Sequence, residues 1–264
     1  MIPKIIHYCW FGNNKKSTLI LECIDSWKKF LPDYEIKEWN ESNTDLKNSF
    51  VNVAYKLKKW AFVSDYVRLV KVYEYGGIYL DTDMLIIKNL DFFLKDKCFF
   101  GAENSNFFNC AIFGANSKNE FLKKCIDYYD NLLILDDFNF NTVIIPDVIT
   151  KIFISEHNFN HNFVNIVELN EIVIYPQDYF YPLPFNKIDY QKKFKKYLTE
   201  NSYAVHLWSA SWLEYTEFEL IQRRQYFKAF KLTFLNVFFQ NRLSILYLKS
   251  LIYATLSSFK KNKF

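Results

Sequence analysis

Two aspartates, Asp81 and Asp83, follow directly after a short apolar run, Ile78–Leu80. In an extended segment, side chains two residues apart project to the same side, so the two carboxylates would repel each other unless a cation lay between them. Mg²⁺ and Mn²⁺ accept such oxygen ligands and commonly take their remaining ligands from substrate phosphates. The triplet by itself is equally compatible with a solvated acidic turn.

The segment that precedes the aspartates favours the metal-site interpretation. From Trp60 onward, apolar residues recur at helical spacing, and Asp65 and Arg68 are three residues apart on one face of that helix. Gly76–Gly77 supplies the backbone freedom with which helices end. The apolar run up to Asp81 then suits a buried strand. The sequence therefore predicts a helix, a glycine turn and a strand that ends in two carboxylates.

Strand-like and helix-like segments alternate in the first part of the chain. Lys4–Trp10 predicts a strand, Ser17–Phe30 an amphipathic helix, and Tyr34–Trp39 a half-buried strand. This alternation predicts an α/β fold with a mostly parallel sheet covered by helices. Nucleotides often bind at the carboxyl ends of such strands, so His7 and Trp10 are either core residues or nucleotide contacts. Further strands are expected at Met84–Ile87, Cys98–Ala102, Phe107–Gly114, Val164–Tyr175 and Ala204–Trp208.

Three segments resemble, in the same order, the motifs of the DXD-containing sugar transferases. The segments are IPKIIHYCWFG at 2–12, SDYVRLVKVYEYGGIYLDTD at 64–83 and AVHLWSASW at 204–212. That family includes capsule and lipopolysaccharide transferases and yeast mannosyltransferases, and the catalytic domains of clostridial glucosylating toxins are similar. The resemblance implies a GT-A-type fold and a retaining, metal-dependent transferase that moves a sugar from a nucleotide sugar, expected to be UDP-linked, to a surface glycan or lipid-linked oligosaccharide.

The same resemblance implies a set of site residues. Asp81, Asp83 and Arg68 are expected to serve catalysis, and Asp81, Asp83 and His206 to hold Mn²⁺ or Mg²⁺. The expected contacts to the nucleotide sugar are His7, Trp10, Asp65, Arg68, Tyr79, Asp81, Asn109, Ser209 and Trp212.

Several of these residues have a plainer interpretation from the sequence alone. Asp65 and Arg68 could form an ordinary ion pair on a helix surface. Asn109, and Glu103 as a further candidate for sugar contact, could be ordinary polar residues at strand ends. His206 could be a buried histidine packed against tryptophan. Glu103 and Asp147 could on paper act as a general base, but neither lies in a recognisable motif.

Composition limits the cellular context. The chain has 264 residues, of which 50% are hydrophobic and 20% aromatic, so a full core is expected rather than disorder. Its five cysteines include no C-x-x-C pair, which predicts reduced thiols in a cytoplasmic protein. No signal peptide and no membrane-spanning segment are expected. No nucleic-acid partner is expected.

The end of the chain differs from the rest. We expect a transferase domain at 1–219 and a basic, amphipathic helical extension at 220–264. After Glu219 there is no acidic residue, whereas nine residues are basic, and Phe227, Phe230, Phe234 and Phe238 recur at helical spacing. This composition predicts a peripheral contact with an anionic membrane, and the alternative is helices packed on the domain or on a second subunit.

Two other functions remain compatible with the sequence. A degenerate transferase could bind a glycan or nucleotide sugar without turnover. A metal-dependent hydrolase could consume the nucleotide sugar without an acceptor.

Overall fold

The computed structural model describes residues 1–135, 138–209, 217–222, 225–238 and 243–260. The chain divides into two compact units, Met1–Ser209 and Ala210–Phe264. The sequence-based division after residue 219 remains a prediction. Within the second unit, the described residues form the helices α7 (Glu217–Gln222), α8 (Tyr226–Phe238) and α9 (Ile245–Lys260).

Nine strands are described in the first unit. They are β1 (Ile5–Cys9), β2 (Glu35–Trp39), β3 (Gly77–Leu80), β4 (Met84–Ile86), β5 (Cys98–Ala102), β6 (Phe108–Ala115), β7 (Val167–Leu169), β8 (Ile172–Tyr175) and β9 (Ala204–His206). Seven of them form one sheet in the order β2-β1-β3-β6-β5-β8-β7, while β4 and β9 form a separate antiparallel pair.

Five strands of the large sheet run in the same direction. β1 pairs in parallel with β2 and β3, and β5 pairs in parallel with β8. β6 runs antiparallel to β3 and β5, and β7 runs antiparallel to β8. The carboxyl ends of β1, β3, β5 and β8 therefore meet at one edge of the sheet, where ligands bind in open α/β sheets.

Helices cover both faces of this sheet. They are α1 (Thr18–Phe30), α2 (Ser49–Lys56), α3 (Trp60–Tyr75), α4 (Glu120–Asp130), α5 (Ile145–His157) and the short α6 (Gln177–Phe180). Successive strand residues point to opposite faces. In β3, Tyr79 packs in the core beneath α2–α5, whereas Ile78 and Leu80 pack in the core beneath α1. The predicted α/β fold with a mostly parallel sheet and flanking helices is confirmed.

Some element boundaries differ from the sequence-based expectations. Helix α2 begins at Ser49, where Asn48 caps its first turn by accepting from the Val51 N–H. The stretch Val164–Tyr175, for which one or two strands are expected, forms the two short strands β7 and β8. No described helix has both the length and the apolar character required to cross a bilayer.

The turn between α3 and β3 depends on two glycines. Gly76 and Gly77 have φ angles of +67° and +116°, in the region that favours glycine. A Cβ on Gly77 would lie 2.6 Å from the Ile5 carbonyl oxygen and 2.8 Å from His7 Nε2. Gly77 therefore lets β3 enter the sheet beside β1 immediately after the helix ends.

We expect Gly77→Ala to lower the free energy of unfolding by about 2–4 kcal/mol, because the new methyl group meets backbone and a side chain at a strained φ angle. Chemical denaturation measures this change. Asn141→Ala, at an exposed position in a turn, is the control and should change stability by less than about 0.5 kcal/mol. A Gly77→Ala protein as stable as the wild type would contradict the assigned backbone.

Candidate active site

Three potential metal ligands come together at the carboxyl edge of the sheet. Asp81 directly follows β3, Asp83 precedes β4, and His206 ends β9. The β4–β9 ladder pairs Met84 with His206 and so places the imidazole beside Asp83. One ligand atom from each of the three side chains lies within 4.8 Å of the other two.

This group of side chains fits a divalent cation. His206 Nε2 lies 3.1 Å from Asp83 Oδ1, while His206 Nδ1 is buried and has no hydrogen-bond partner among the described residues. Buried polar atoms are normally satisfied, so the unpartnered Nδ1 leaves His206 with a polar group that no described residue uses, while Nε2 faces Asp83. Carboxylate oxygens suit Mg²⁺ and Mn²⁺, and an imidazole shifts the preference towards transition metals.

The electrostatics of the group depend on the Asp83–His206 pair. Burial favours the protonated form of Asp83, but the imidazole and the Ser209 backbone N–H outweigh it and lower the carboxyl pKa to about 2. Burial favours the neutral form of His206, yet Asp83 and Asp81 raise the imidazole pKa above its usual value. At acidic pH a proton on His206 therefore neutralises part of the negative charge of the Asp81 and Asp83 carboxylates.

The segment after β9 holds Asp83 in place. The Ser209 N–H donates to Asp83 Oδ2 at 2.7 Å, and the Leu207 N–H donates to the Asp83 carbonyl at 3.0 Å. Trp208 lies between these two residues with a φ angle of +49°, and its ring centroid is 3.9 Å from that of His206. Ser209 therefore binds Asp83 through its backbone N–H, and its side chain also lowers the pKa of the Asp83 carboxyl. Trp212, predicted as a nucleotide-sugar contact, lies outside the described residues.

Arg68 links the helix to the first aspartate. Its Nη2 atom lies 3.0 Å from Asp65 Oδ1 and 3.1 Å from Asp81 Oδ1, and its Nη1 donates to the Cys110 carbonyl at 2.8 Å. The guanidinium lies over the Tyr79 ring, 4.6 Å from its centroid. Asp65 and Arg68 are both buried, so this is an interior network rather than a pair on a helix surface.

Two carboxylates share this one guanidinium. Tyr79 adds a hydrogen bond from its hydroxyl to Asp81 Oδ1 at 3.0 Å. Burial raises the pKa of Asp65 to about 7 although Arg68 opposes the shift, and burial likewise raises the pKa of Asp81. A bound cation would favour the ionised form of Asp81, because an opposite charge stabilises it. The structure thus brings Asp65, Arg68, Tyr79 and Asp81 together.

Asn109 occupies the neighbouring strand. Its Oδ1 accepts from the Ala111 N–H at 3.0 Å, and the Ala111 carbonyl accepts from the Asp81 N–H at 2.7 Å. The Asn109 amide also donates to Glu103. A register shift in the β5–β6 ladder aligns Gly101 with Asn109 and so brings Glu103 to the amide. Sequence spacing gives no sign of this pair, because an irregular ladder forms it.

The structure does not bring His7 to this group. His7 is buried in β1, its Nδ1 accepts from the Trp39 indole N–H at 3.1 Å, and its Nε2 is 2.7 Å from the Gly76 carbonyl, to which it donates. Burial lowers the imidazole pKa to about 4. Both ring nitrogens are thus engaged by the protein, as in the core interpretation. Its role as a nucleotide contact finds no support in this geometry.

Trp10 lies in a different environment. It follows β1 at the ligand-binding edge, is partly exposed, and donates its indole N–H to the Asn14 carbonyl at 2.7 Å. Lys16 Nζ lies 5.2 Å from the ring centroid and also pairs with Glu38. Because the side chain is partly exposed at this edge, nucleotide contact by Trp10 stays a prediction.

Two further residues support the site without having been predicted. Tyr181 accepts the Ile112 N–H through its hydroxyl, and its ring centroid is 5.9 Å from that of His206. The Trp208 indole donates to the Leu183 carbonyl at 2.7 Å. Only the long-range packing of the segment after β8 could have revealed these contacts.

Two family profiles match the chain. Residues 17–100 match the glycosyltransferase sugar-binding region containing the DXD motif, and residues 114–231 match the alpha 1,4-glycosyltransferase conserved region. Both matched regions are those of glycosyltransferase families, and the first of them contains Asp81 and Asp83. The family predicted from the three sequence motifs is confirmed.

Individual relatives agree with the profiles. The chain is 25% identical over 194 residues to alpha-1,4-N-acetylglucosaminyltransferase of Homo sapiens, with 69% of the chain and 50% of the relative covered. It is 29% identical over 165 residues to lactosylceramide 4-alpha-galactosyltransferase of Mus musculus, with 56% and 40% covered. The chain thus spans about half the length of these relatives or less.

Solved structures of glycosyltransferases are also similar. PaToxG glycosyltransferase superposes with a TM-score of 0.46 at 21% identity, covering 59% of this chain and 69% of that one. The galactosyltransferase LgtC, solved with donor and acceptor sugar analogs, gives a TM-score of 0.41 at 13% identity, covering 78% and 87%.

We expect Mn²⁺ affinity to fall by up to about tenfold for each pH unit below the pKa of His206, because the cation and one proton compete for the imidazole. Titration with Mn²⁺ followed by electron paramagnetic resonance, between pH 5 and pH 8, measures the slope. In His206→Ala, affinity at pH 8 should be lower and the slope shallower. An identical slope in both proteins would exclude His206 as a ligand.

Proposed function

We propose that the protein transfers a sugar from a nucleotide sugar to a glycan acceptor in a metal-dependent reaction. The observation that carries this proposal is the approach of Asp81, Asp83 and His206 at the edge of the sheet, beside the buried network of Arg68. The match to the DXD sugar-binding region supports the same chemistry.

A cation held by Asp81, Asp83 and His206 would neutralise the charge that develops on the leaving nucleoside diphosphate. The protein's own groups hold the two carboxylates in position for it. Arg68 and the Tyr79 hydroxyl fix Asp81, and the Ser209 N–H fixes Asp83. We favour Mn²⁺ over Mg²⁺, because an imidazole suits transition metals better than Mg²⁺.

The donor sugar would lie between this cation site and Asn109. The Asn109 amide donates to the Glu103 carboxylate. A sugar hydroxyl could replace one partner of this hydrogen bond, by donating to the carboxylate or by accepting from the amide. We propose a UDP-sugar as the donor and a surface glycan or lipid-linked oligosaccharide as the acceptor. The relatives' names, a 4-alpha-galactosyltransferase and an alpha-1,4-N-acetylglucosaminyltransferase, support an alpha-linked product.

We propose retention of the anomeric configuration. Front-face attack, in which the departing phosphate takes the acceptor's proton, needs a braced diphosphate and a firmly held sugar but no protein nucleophile. The arrangement of Asp81, Asp83, Arg68 and Asn109 suits those two requirements. Inversion would need a general base on the opposite face of the sugar.

The decisive experiment combines the protein with Mn²⁺, lactose as acceptor, and UDP-galactose, UDP-glucose, UDP-N-acetylglucosamine or GDP-mannose. We expect a UDP-sugar to be consumed and the coupling of the new anomeric proton in NMR to indicate an alpha linkage. Consumption of donor without glycan product would indicate a hydrolase. Binding without consumption would indicate a degenerate transferase, and a beta product would exclude retention.

We expect Asp83→Asn to reduce the transfer rate at least ~10²-fold without loss of fold, because it removes a charge that holds the cation. EDTA should abolish wild-type activity. The matched control is Asp33→Asn, at an exposed aspartate outside the site, which should retain the wild-type rate. Full activity of the wild type in EDTA would refute metal dependence.

We further propose that the helical extension docks on an anionic membrane. Exposed apolar residues recur at the same spacing on two helices: Phe227, Phe230, Phe234 and Phe238 on α8, and Ile245, Leu248, Ile252 and Leu256 on α9. Phe227 is 84% exposed and Ile245 is 74% exposed. A soluble surface rarely carries such stripes without a partner.

The charge of the two helices supports an anionic membrane as the partner of these stripes. No acidic residue follows Glu219, and the exposed Lys228, Lys231 and Lys249 lie on the same two helices. Apolar side chains that enter the lipid boundary and lysines that meet acidic headgroups together give stable binding at a membrane surface. All five cysteines are free, which supports placing this contact on the cytoplasmic face of the membrane.

We expect the full chain to sediment with liposomes of 30% phosphatidylserine and 70% phosphatidylcholine, and less with phosphatidylcholine alone. The triple variant Phe227→Ser, Phe230→Ser and Phe238→Ser should lose most of this binding, because it removes exposed apolar area without altering buried residues. Leu133→Ser, at a position 76% exposed in the first unit, is the control. Equal sedimentation of the triple variant and the wild type would refute the proposal.

A further inference from the structure

A cavity lies along the same edge of the sheet as the metal-ligand group. Its volume is about 520 Å³, within the range of ~300–1,000 Å³ typical of small-molecule sites. One wall is Asn104–Ser105, which follows β5, and the opposite wall is the segment after β8, including Gln177, Pro182 and Pro184. Because β5 and β8 are parallel neighbours, both walls arise at the carboxyl edge.

The wall after β8 is connected to the metal-ligand group. Pro182 and Pro184 flank Leu183, whose carbonyl accepts the Trp208 indole N–H at 2.7 Å. The ring of Trp208 in turn packs on His206. The wall is thus separated from a proposed metal ligand by one side chain.

The wall after β5 is connected to the proposed sugar contact. Asn104 and Ser105 directly follow Glu103, which accepts from the Asn109 amide. The cavity therefore lies directly beside the Glu103–Asn109 pair, which is proposed to contact the donor sugar. A molecule in this cavity would lie next to the transferred sugar, not next to the nucleotide.

The charges of the cavity disfavour a phosphate. None of the described residues that line it is Lys or Arg, and its one carboxylate, Asp178, accepts from Thr199 Oγ1 at 3.1 Å and Asn201 Nδ2 at 3.0 Å. An anion would meet a carboxylate and no cation, so it would lose its hydration without compensation.

The polar groups of the cavity suit sugar hydroxyls. Asn104 uses its oxygen to accept the Asn106 N–H, so its amide N–H groups are available, and the Gln177 amide makes no hydrogen bond among the described residues. An amide offers both a donor and an acceptor, which matches a hydroxyl. Pro182, Pro184 and the side chain of Val164 add apolar surface for the C–H face of a sugar ring.

We propose that this cavity binds an uncharged sugar unit of the acceptor glycan. The inference rests on the proposed function for the identity of the ligand as an acceptor. Asn104 and Gln177 hold the sugar's hydroxyl groups, and the prolines pack against its ring. The cavity thereby selects neutral glycans over phosphate-bearing acceptors and positions one of their hydroxyls towards Asn109.

The test is saturation-transfer NMR on the full chain with Mg²⁺ and four neutral disaccharides: lactose, maltose, cellobiose and N,N′-diacetylchitobiose. At least one should bind the wild-type protein. In Asn104→Ala/Gln177→Ala its signal should fall at least about fivefold, and α-lactose 1-phosphate should give a weaker signal than lactose with the wild type. Asn141→Ala, at an exposed asparagine outside the cavity, is the control and should bind like the wild type.

A second variant fills the cavity without touching these amides. Val164 is 58% exposed, so Val164→Trp should fold normally and also abolish disaccharide binding. UDP binding, measured in the same samples, should be unchanged in every variant. The inference is overturned if no disaccharide binds, if the variants bind as the wild type does, or if the phosphorylated sugar binds better.

These readouts separate the inference from the proposed function. Loss of disaccharide binding in the variants, together with absence of sugar transfer by the wild type, would leave a glycan-binding cavity in a protein that is not a transferase. If the wild type transfers sugar and both variants have an unchanged KM for the acceptor, the proposed transferase function stands. The acceptor then binds at a site other than this cavity.

Discussion

The burial of Arg68 is the constraint on which the rest of the site depends. Its guanidinium joins Asp65 on the helix, Asp81 after the central strand and a carbonyl on the next strand. A buried ion pair contributes little net stability, because desolvation offsets the attraction, but loss of one partner leaves an uncompensated charge. The network therefore fixes the geometry of α3, β3 and β6 relative to one another. Asp81 is consequently held in place before any ligand arrives.

The same arrangement divides the two aspartates by environment. Asp81 shares the Arg68 guanidinium with Asp65 and also accepts a hydrogen bond from the Tyr79 hydroxyl. Asp83 faces the imidazole of His206 and a backbone N–H, which keep its carboxyl ionised. Asp81 and Asp83 thus differ in proton affinity although they are two residues apart. Asp81 competes with Asp65 for one guanidinium, whereas Asp83 has the His206 imidazole beside it.

Local patterns sufficed to predict the core of the site. The helical spacing after Trp60, the Gly76–Gly77 turn and the apolar strand placed Asp81 and Asp83 at a strand end, as observed, because each signal is contained in neighbouring residues. The α/β class followed from the alternation of such segments. The sequence predicts that Asp65 and Arg68 lie together on α3. Their burial depends on β6, and no pattern in neighbouring residues shows that β6 packs on this helix.

Interactions between distant segments account for what the sequence did not reveal. An apolar strand gives no sign of whether His7 points to the ligand edge or, as observed, to Gly76 and Trp39. The irregular β5–β6 register that joins Glu103 to Asn109 depends on residues of both strands. The acceptor cavity combines loops after β5 and β8, which only the sheet order brings together.

The pairing of β4 with β9 has a consequence for biosynthesis. Met84 and His206 are neighbours in space, yet most of the first unit separates them along the chain. A growing polypeptide therefore carries both aspartates long before the histidine leaves the ribosome. The sheet strands before β9 can form in that interval, since domains fold progressively during synthesis. The three candidate metal ligands come together only as the last strand of the first unit is added, so the proposed cation site is completed together with that unit.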